Sequence, residues 1–185
     1  MKFAVYCSSR ANLAPEYVQA AVATGNWIGK NRHELVYGGV NAGLMHTVAQ
    51  AAHDAGAKIT GVIPEIFSHR ADTLNDEIIT TRNLNDRKAK MIDLADAFIV
   101  LPGGLGTIDE WIATLSALVV DGDTKRKIIV ANINGIFDNT VAQIRSTAQS
   151  PFARNEIIDM SIIADDCDSL IDTLSQISRQ AAFSE

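Results

Sequence analysis

The stretch Ala97-Phe98-Ile99-Val100-Leu101-Pro102-Gly103-Gly104-Leu105-Gly106-Thr107-Ile108-Asp109-Glu110-Trp111 carries the most informative transition in this chain of 185 residues. Five consecutive apolar residues suit a strand covered on both faces. Three glycines and a proline then break the run, and an apolar helical segment follows. Moving outward, the same alternation recurs along the sequence. Strand-like runs lie at 3–7, 34–37, 58–63, 77–81, 97–101, 127–133 and 161–164. Helical stretches lie at 15–30, 43–55, 85–95, 107–120, 137–149 and 166–182. Alternating strands and helices imply a parallel sheet with right-handed crossovers.

The expected fold is therefore α/β: one Rossmann-like domain over 1–185, with a doubly wound, mainly parallel sheet of about seven strands flanked by helices. Composition agrees, since 47% apolar and 21% charged residues exclude a disordered or fibrous chain. Sixteen basic against 22 acidic residues give a net charge of −6, the wrong sign for a nucleic-acid binder. No apolar run is long enough to span a membrane, and the chain enters a strand at once, so neither a membrane helix nor a signal peptide is expected. Cys7 and Cys167 stand far apart without a Cys-x-x-Cys pattern, which points to a reduced cytoplasmic setting.

Ligands of such sheets bind beyond the carboxyl ends of the strands. Two glycine turns fall there: Gly38-Gly39-Val40-Asn41-Ala42-Gly43 and Gly103-Gly104-Leu105-Gly106. Each runs into a helix, whose free N–H groups attract anions. Together they point to a phosphate-bearing ligand. Leu44-Met45 stands where a P-loop needs Lys-Ser/Thr, which excludes ATP hydrolysis on the first turn. The second turn lacks the third glycine of the dinucleotide fingerprint and follows the fifth strand, which weakens a case for NAD or FAD.

Spacing alone makes Thr107-x-x-Glu110 a capping box, with the carboxylate closing the helix end. The competing reading makes Glu110 a carboxylate facing the ligand. Asn85 is a plausible N-cap for the helix before that turn, which would put Arg87 and Lys88 in the first turn, against the helix dipole. Such a violation of a local rule points toward function. His33, His46, His53 and His69 share no metal-ligand spacing, so no metal is expected. Ser8-Ser9-Arg10 follows the first strand and is placed to line the same cleft. The helix at 111–120 has almost no charged face, which suits either deep core or an oligomer interface.

The string Pro102-Gly103-Gly104-x-Gly106-Thr107-x-x-Glu110, preceded by Arg87-Lys88 and by Gly38-Gly39-x-x-x-Gly43-Leu44-Met45, resembles the LONELY GUY-type phosphoribohydrolases, cytokinin-activating enzymes often mislabelled as lysine decarboxylases. The resemblance runs from Val5-Tyr6-Cys7-Ser8-Ser9 to the final helix. It implies a Rossmann-like homodimer that hydrolyses the N-glycosidic bond of a nucleoside 5′-monophosphate. A cytokinin riboside 5′-monophosphate, or AMP, would yield free base and ribose 5-phosphate. The family's catalytic pair falls on Arg87 and Glu110. Its substrate-binding positions fall on Lys88, Gly104, Leu105, Gly106, Thr107, Ile108 and Asp109, with Gly103 and Gly39 of the two turns beside them. Ser116 stands in place of a threonine. Neither a metal nor a redox cofactor is implied.

The chain departs from the family pattern at Leu84-Asn85-Asp86, where Met-His-x is usual, and at His46, where glycine is usual. Small or aliphatic residues occupy 117–119, and His69-Arg70-Ala71 replaces an acidic substrate contact. These departures bear on the base and not on the phosphate or sugar. Two rivals stand beside the hydrolase. One is a pyridoxal-phosphate lysine decarboxylase. The other is a non-catalytic carrier of a nucleotide or of molybdenum cofactor.

Overall fold

The computed structural model describes residues 1–151 and 157–182. Seven strands form a single sheet: β1 (Lys2–Tyr6), β2 (Glu34–Tyr37), β3 (Lys58–Pro64), β4 (Glu77–Thr81), β5 (Ala97–Val100), β6 (Ile128–Ala131) and β7 (Ser161–Ala164). Their order is β4-β3-β2-β1-β5-β6-β7, and every pairing is parallel. This is the doubly wound, Rossmann-like α/β sheet that the alternation predicts.

Period-two alternation divides the strands other than the edge strand β4 between two cores. Phe3, Val5, Ile99 and Leu101 face one side, where α1 (Pro15–Lys30), α2 (Gly43–Asp54) and α7 (Cys167–Ala182) pack. Ala4, Tyr6, Phe98 and Val100 face the other, covered by α3 (Leu84–Leu94), α4 (Leu105–Asp121) and α5 (Asp138–Ala148). The short α6 (Ile157–Met160) leads into β7. Helices α1 and α2 meet almost backbone to backbone. A Cβ on Gly25 would collide with the Val48 carbonyl, and one on Gly29 with the backbone of Ala55, so glycine permits the contact.

The chain winds outward from β1 in opposite directions, through β2 to β4 on one side and through β5 to β7 on the other. A crevice opens where the winding reverses, beyond the carboxyl ends of β1 and β5. Its loops are fastened together. Leu101 N donates to Tyr6 O at 2.9 Å, Ser8 N to Pro102 O at 3.2 Å, and Leu44 N to Ser8 O at 2.9 Å.

Candidate active site

A cleft of about 370 Å³ occupies this crevice. Cys7, Ser8, Ser9 and Arg10 form one wall after β1. Leu84, Arg87 and Lys88 descend from α3, and the first turns of α4 supply Gly104, Leu105, Gly106, Thr107, Asp109 and Glu110.

Helix α4 begins earlier than the capping-box spacing predicts. Its N-cap is Gly104, so Thr107 is the third helical residue and Glu110 lies in the second turn. The capping box does not form. Instead, no side chain caps α4, which leaves its leading N–H groups free for an anion. Gly104 has ordinary negative φ, and a Cβ on Gly104 or Gly106 would meet nothing within 4 Å. Neither backbone strain nor packing requires glycine at these positions. What their missing side chains provide is an open approach to the helix end. Gly103 is different: a Cβ there would strike the Thr107 side chain.

Thr107, Glu110, Trp111, Thr114 and Leu118 form the buried stripe of α4, so Glu110 occupies a core position on an amphipathic helix. Arg87 does the same on α3, on one face with Met91. Both side chains are nearly inaccessible, and Arg87 Nη1 lies 2.8 Å from Glu110 Oε1. Arg87 Nε also donates to Val62 O at 3.1 Å, which fixes the guanidinium against β3. Arg87 is thus the charged partner of Oε1, at the distance of a charge-assisted contact. That oxygen keeps a lone pair for another partner.

Burial pushes the Glu110 carboxyl above its ordinary value, while Arg87 pulls it down and Asp109 adds to the rise. Below it, Thr114 Oγ1 donates to Glu110 O at 2.8 Å and meets Tyr6 Oη at 2.8 Å. The cleft thiol, Cys7, is driven well above the ordinary thiol range by burial, so it stays protonated and is no nucleophile.

The basic pair is also placed differently from the sequence expectation. Asn83, not Asn85, caps α3, accepting from the N–H groups of Asn85 and Asp86 at 2.9 Å each. Arg87 and Lys88 thus enter the second turn, where each meets a carboxylate of α4. Lys88 Nζ contacts Asp109 Oδ2 at 2.7 Å.

Of the sequence-predicted positions, Arg87, Lys88, Gly104, Leu105, Gly106, Thr107, Asp109 and Glu110 line one cleft. Four do not. Gly103 lies beneath Thr107, and Gly39 (φ +68°) packs on Ile63 and Gly61. Ile108 and Ser116 face a separate apolar groove between α4 and α5. Sequence reasoning missed Met45 and Leu84 as lining residues and Val62 O as the anchor of Arg87. The backbone anchor had no sequence signal.

Residues 45–174 match the family described as possible lysine decarboxylase. In Arabidopsis thaliana, cytokinin riboside 5′-monophosphate phosphoribohydrolase LOG7 is 34% identical over 164 residues, covering 85% of this chain and 75% of that protein. The cytokinin riboside 5′-monophosphate phosphoribohydrolase of Mycobacterium marinum is 34% identical over 170 residues, covering 91% and 90%. Among solved structures, the molybdenum cofactor binding protein of Rippkaea orientalis superposes with a TM-score of 0.73 at 22% identity, over 95% of this chain and 96% of that one. The molybdenum cofactor carrier protein of Chlamydomonas reinhardtii gives 0.73 at 19%, over 96% and 98%. Those two likenesses speak for the fold. Family model and sequence relatives together show that this chain belongs to the family named for lysine decarboxylase that includes the LOG-type phosphoribohydrolases.

Proposed function

We propose that this chain is a nucleoside 5′-monophosphate phosphoribohydrolase acting as one catalytic domain, with AMP and cytokinin riboside 5′-monophosphate, the substrate named for its relatives, as the first compounds to test. The observation that carries this reading is the buried Arg87–Glu110 pair beside an uncapped, glycine-opened helix end. The N–H groups of α4 and the Thr107 hydroxyl hold the 5′-phosphate, with Lys88 and Arg10 adding positive charge at the rim.

Cleavage lengthens the bond from C1′ to the base nitrogen and leaves cationic character on the ribose, as in glycoside hydrolysis. The Glu110 carboxylate faces that cation and accepts a proton from the attacking water, whose oxygen bonds to C1′. The base departs with the bonding pair and takes up a proton, so the sum is water added across the glycosidic bond. Arg87 orients the carboxylate and favours its ionised form, opposing the cost of burial.

Pyridoxal phosphate, implied by the family's label, does not fit this cleft. Its lysine, Lys88, is held by Asp109, and the buried carboxylate is committed to Arg87 instead of a ring nitrogen. A carrier of a phosphate-bearing cofactor needs the helix end but has no use for Glu110. The reduced cysteines Cys7 and Cys167 fit a cytoplasmic setting. No described helix is long and apolar enough to cross a membrane. A homodimer through the α4–α5 groove completes the reading.

Incubating the purified protein with AMP and with adenosine tests it. Adenine and ribose 5-phosphate should appear from AMP and no base from adenosine. Equal turnover of both would remove the phosphate anchor, and binding without turnover would leave a carrier.

A further inference from the structure

The Arg87 guanidinium is bounded on three sides. Its Nε donates to Val62 O at 3.1 Å, and its Nη1 meets Glu110 Oε1 at 2.8 Å. Its Nη2 lies so close to Gly38 that a Cβ there would collide with it. Pinned on its other edges, Arg87 has no room to give way. Gly38 opens the first glycine turn, so the backbone of that turn is the wall behind the guanidinium. Where the turn sits therefore sets how Arg87 faces the carboxylate.

The turn is tied to the segment that follows the 3-10 turn Glu65–Arg70. Asn41 N donates to Arg70 O at 3.0 Å and Asp72 N to Gly39 O at 2.8 Å. Asn75 Nδ2 also donates to Gly39 O, at 3.1 Å. The Asp72 side chain is wholly buried. Its Oδ1 accepts from Leu74 N at 3.2 Å, and its Oδ2 accepts from His46 Nδ1 at 2.6 Å. Among the described residues His46 is its one ion-pair partner. His46 is partly exposed on α2 and does not line the catalytic cleft. A buried carboxylate that loses its partner draws in water or moves toward it. Asp72 has no way to do so without pulling on Gly39.

We propose that His46 and Asp72 are positioning residues for the reaction, a latch outside the cleft that holds the Gly38-Gly39 turn against Arg87 and so sets the Arg87–Glu110 pair. The inference rests on the phosphoribohydrolase reading for its effect on turnover, but not for the latch itself.

The test follows the Glu110 carboxyl by carbon NMR titration of the substrate-free protein, with melting temperature and AMP kinetics in parallel. The groups that act on Glu110 are Arg87, Asp109 and Lys88, with Tyr6 and Cys7 held protonated by burial. Of these, Arg87 is the one packed against Gly38. An opposite charge at contact moves a carboxyl by about 1–3 pH units. Glu110 should therefore titrate about one pH unit higher in His46→Ala, as Arg87 loosens. There kcat should fall several-fold with KM little changed, because the helix end that holds the phosphate is untouched. His46→Asn, which offers a neutral amide donor near the Nδ1 position, should show a smaller rise. Adding Asp72→Asn to His46→Ala removes the stranded charge and should bring Glu110 back toward its wild-type titration. A His46→Ala protein that melts earlier while Glu110 and kcat stay unmoved makes the pair merely structural and overturns the proposal. A double variant no better than His46→Ala overturns it as well. Should His46→Ala not fold, His46→Asn decides, with an unmoved Glu110 counting against the latch. If wild type cleaves no nucleotide, the hydrolase reading fails, and the NMR titration alone decides this one.

Discussion

Glu110 is a carboxylate in a place that suits a hydrophobic residue, on the same helical stripe as Trp111 and Leu118. Burial works against its charge and Arg87 works for it, and burial wins, so the folded pKa lies above the ordinary 4.5. For an acid whose folded pKa is raised, the contribution to stability is present below the unfolded pKa and lost as pH rises through the folded one. Ionising the buried carboxyl is therefore a cost to the fold, retained for chemistry. Activity should follow the opposite course, with the acidic limb of the kcat profile lying above 4.5 and activity rising as the carboxylate ionises. Glu110→Gln keeps an acceptor for Arg87 but not its counter-charge, so it should fold with a lowered melting temperature while kcat falls about 10²–10⁴-fold and the acidic limb disappears. Glu110→Ala leaves Arg87 buried without a counter-charge and should lose about 3–5 kcal/mol in urea unfolding. A Gln variant with near-normal turnover would return Glu110 to a structural role.

The amino end of α4 shows which features of an element are legible in sequence. The continuous apolar run Phe98-Ile99-Val100 and the two glycine turns placed the strands and the turns that line the cleft, because apolar runs and chain breaks are local properties. The helix start was misplaced because Thr107-x-x-Glu110 satisfies a capping box only if Thr107 is extended, whereas the chain turns helical directly after Gly104. Asn83 and Asn85 are equally good caps in sequence, and only the exit from β4 decides between them. Helical arithmetic gives an earlier warning on Ser116. It lies six residues, about 240° around the helix, from Glu110, and the structure places it in the other groove. The open helix end makes its own prediction. Gly104→Ala and Gly106→Ala meet no neighbour, so each should fold with unchanged or slightly raised stability, up to about 1 kcal/mol. Each should also raise KM for the nucleotide at least several-fold, because the methyl group occupies the approach to the N–H groups. A raised KM without a fall in melting temperature marks a ligand site. Lower stability with normal KM would mark a packing role.

On the scale of the whole molecule, the unmatched feature is the second groove. Ile108, Ile112, Leu115 and Val119 of α4 meet Ile144 of α5 and Ile157 of α6 around some 610 Å³ of largely apolar space. Ile112 is 39% exposed and Val120, one helical turn below Ser116, 78%. Soluble monomers seldom leave so continuous an apolar surface uncovered. An apolar face on a single helix pair suits a two-fold dimer, in which each copy covers the other. The groove also reaches the chemistry, since Ile108 faces it while its neighbours Thr107 and Asp109 line the cleft. Docking of a second copy would thus hold the first turns of α4 in register against the substrate phosphate. Light scattering on a sizing column should give twice the 19.9 kDa chain mass. Ile112→Asp, which places a charge in the groove without touching the cleft, should shift that mass to the monomer. Specific activity should fall with it, and wild-type activity should fall on dilution through the same transition. A wild-type monomer at micromolar concentration with full activity would separate the groove from catalysis and leave it to another partner.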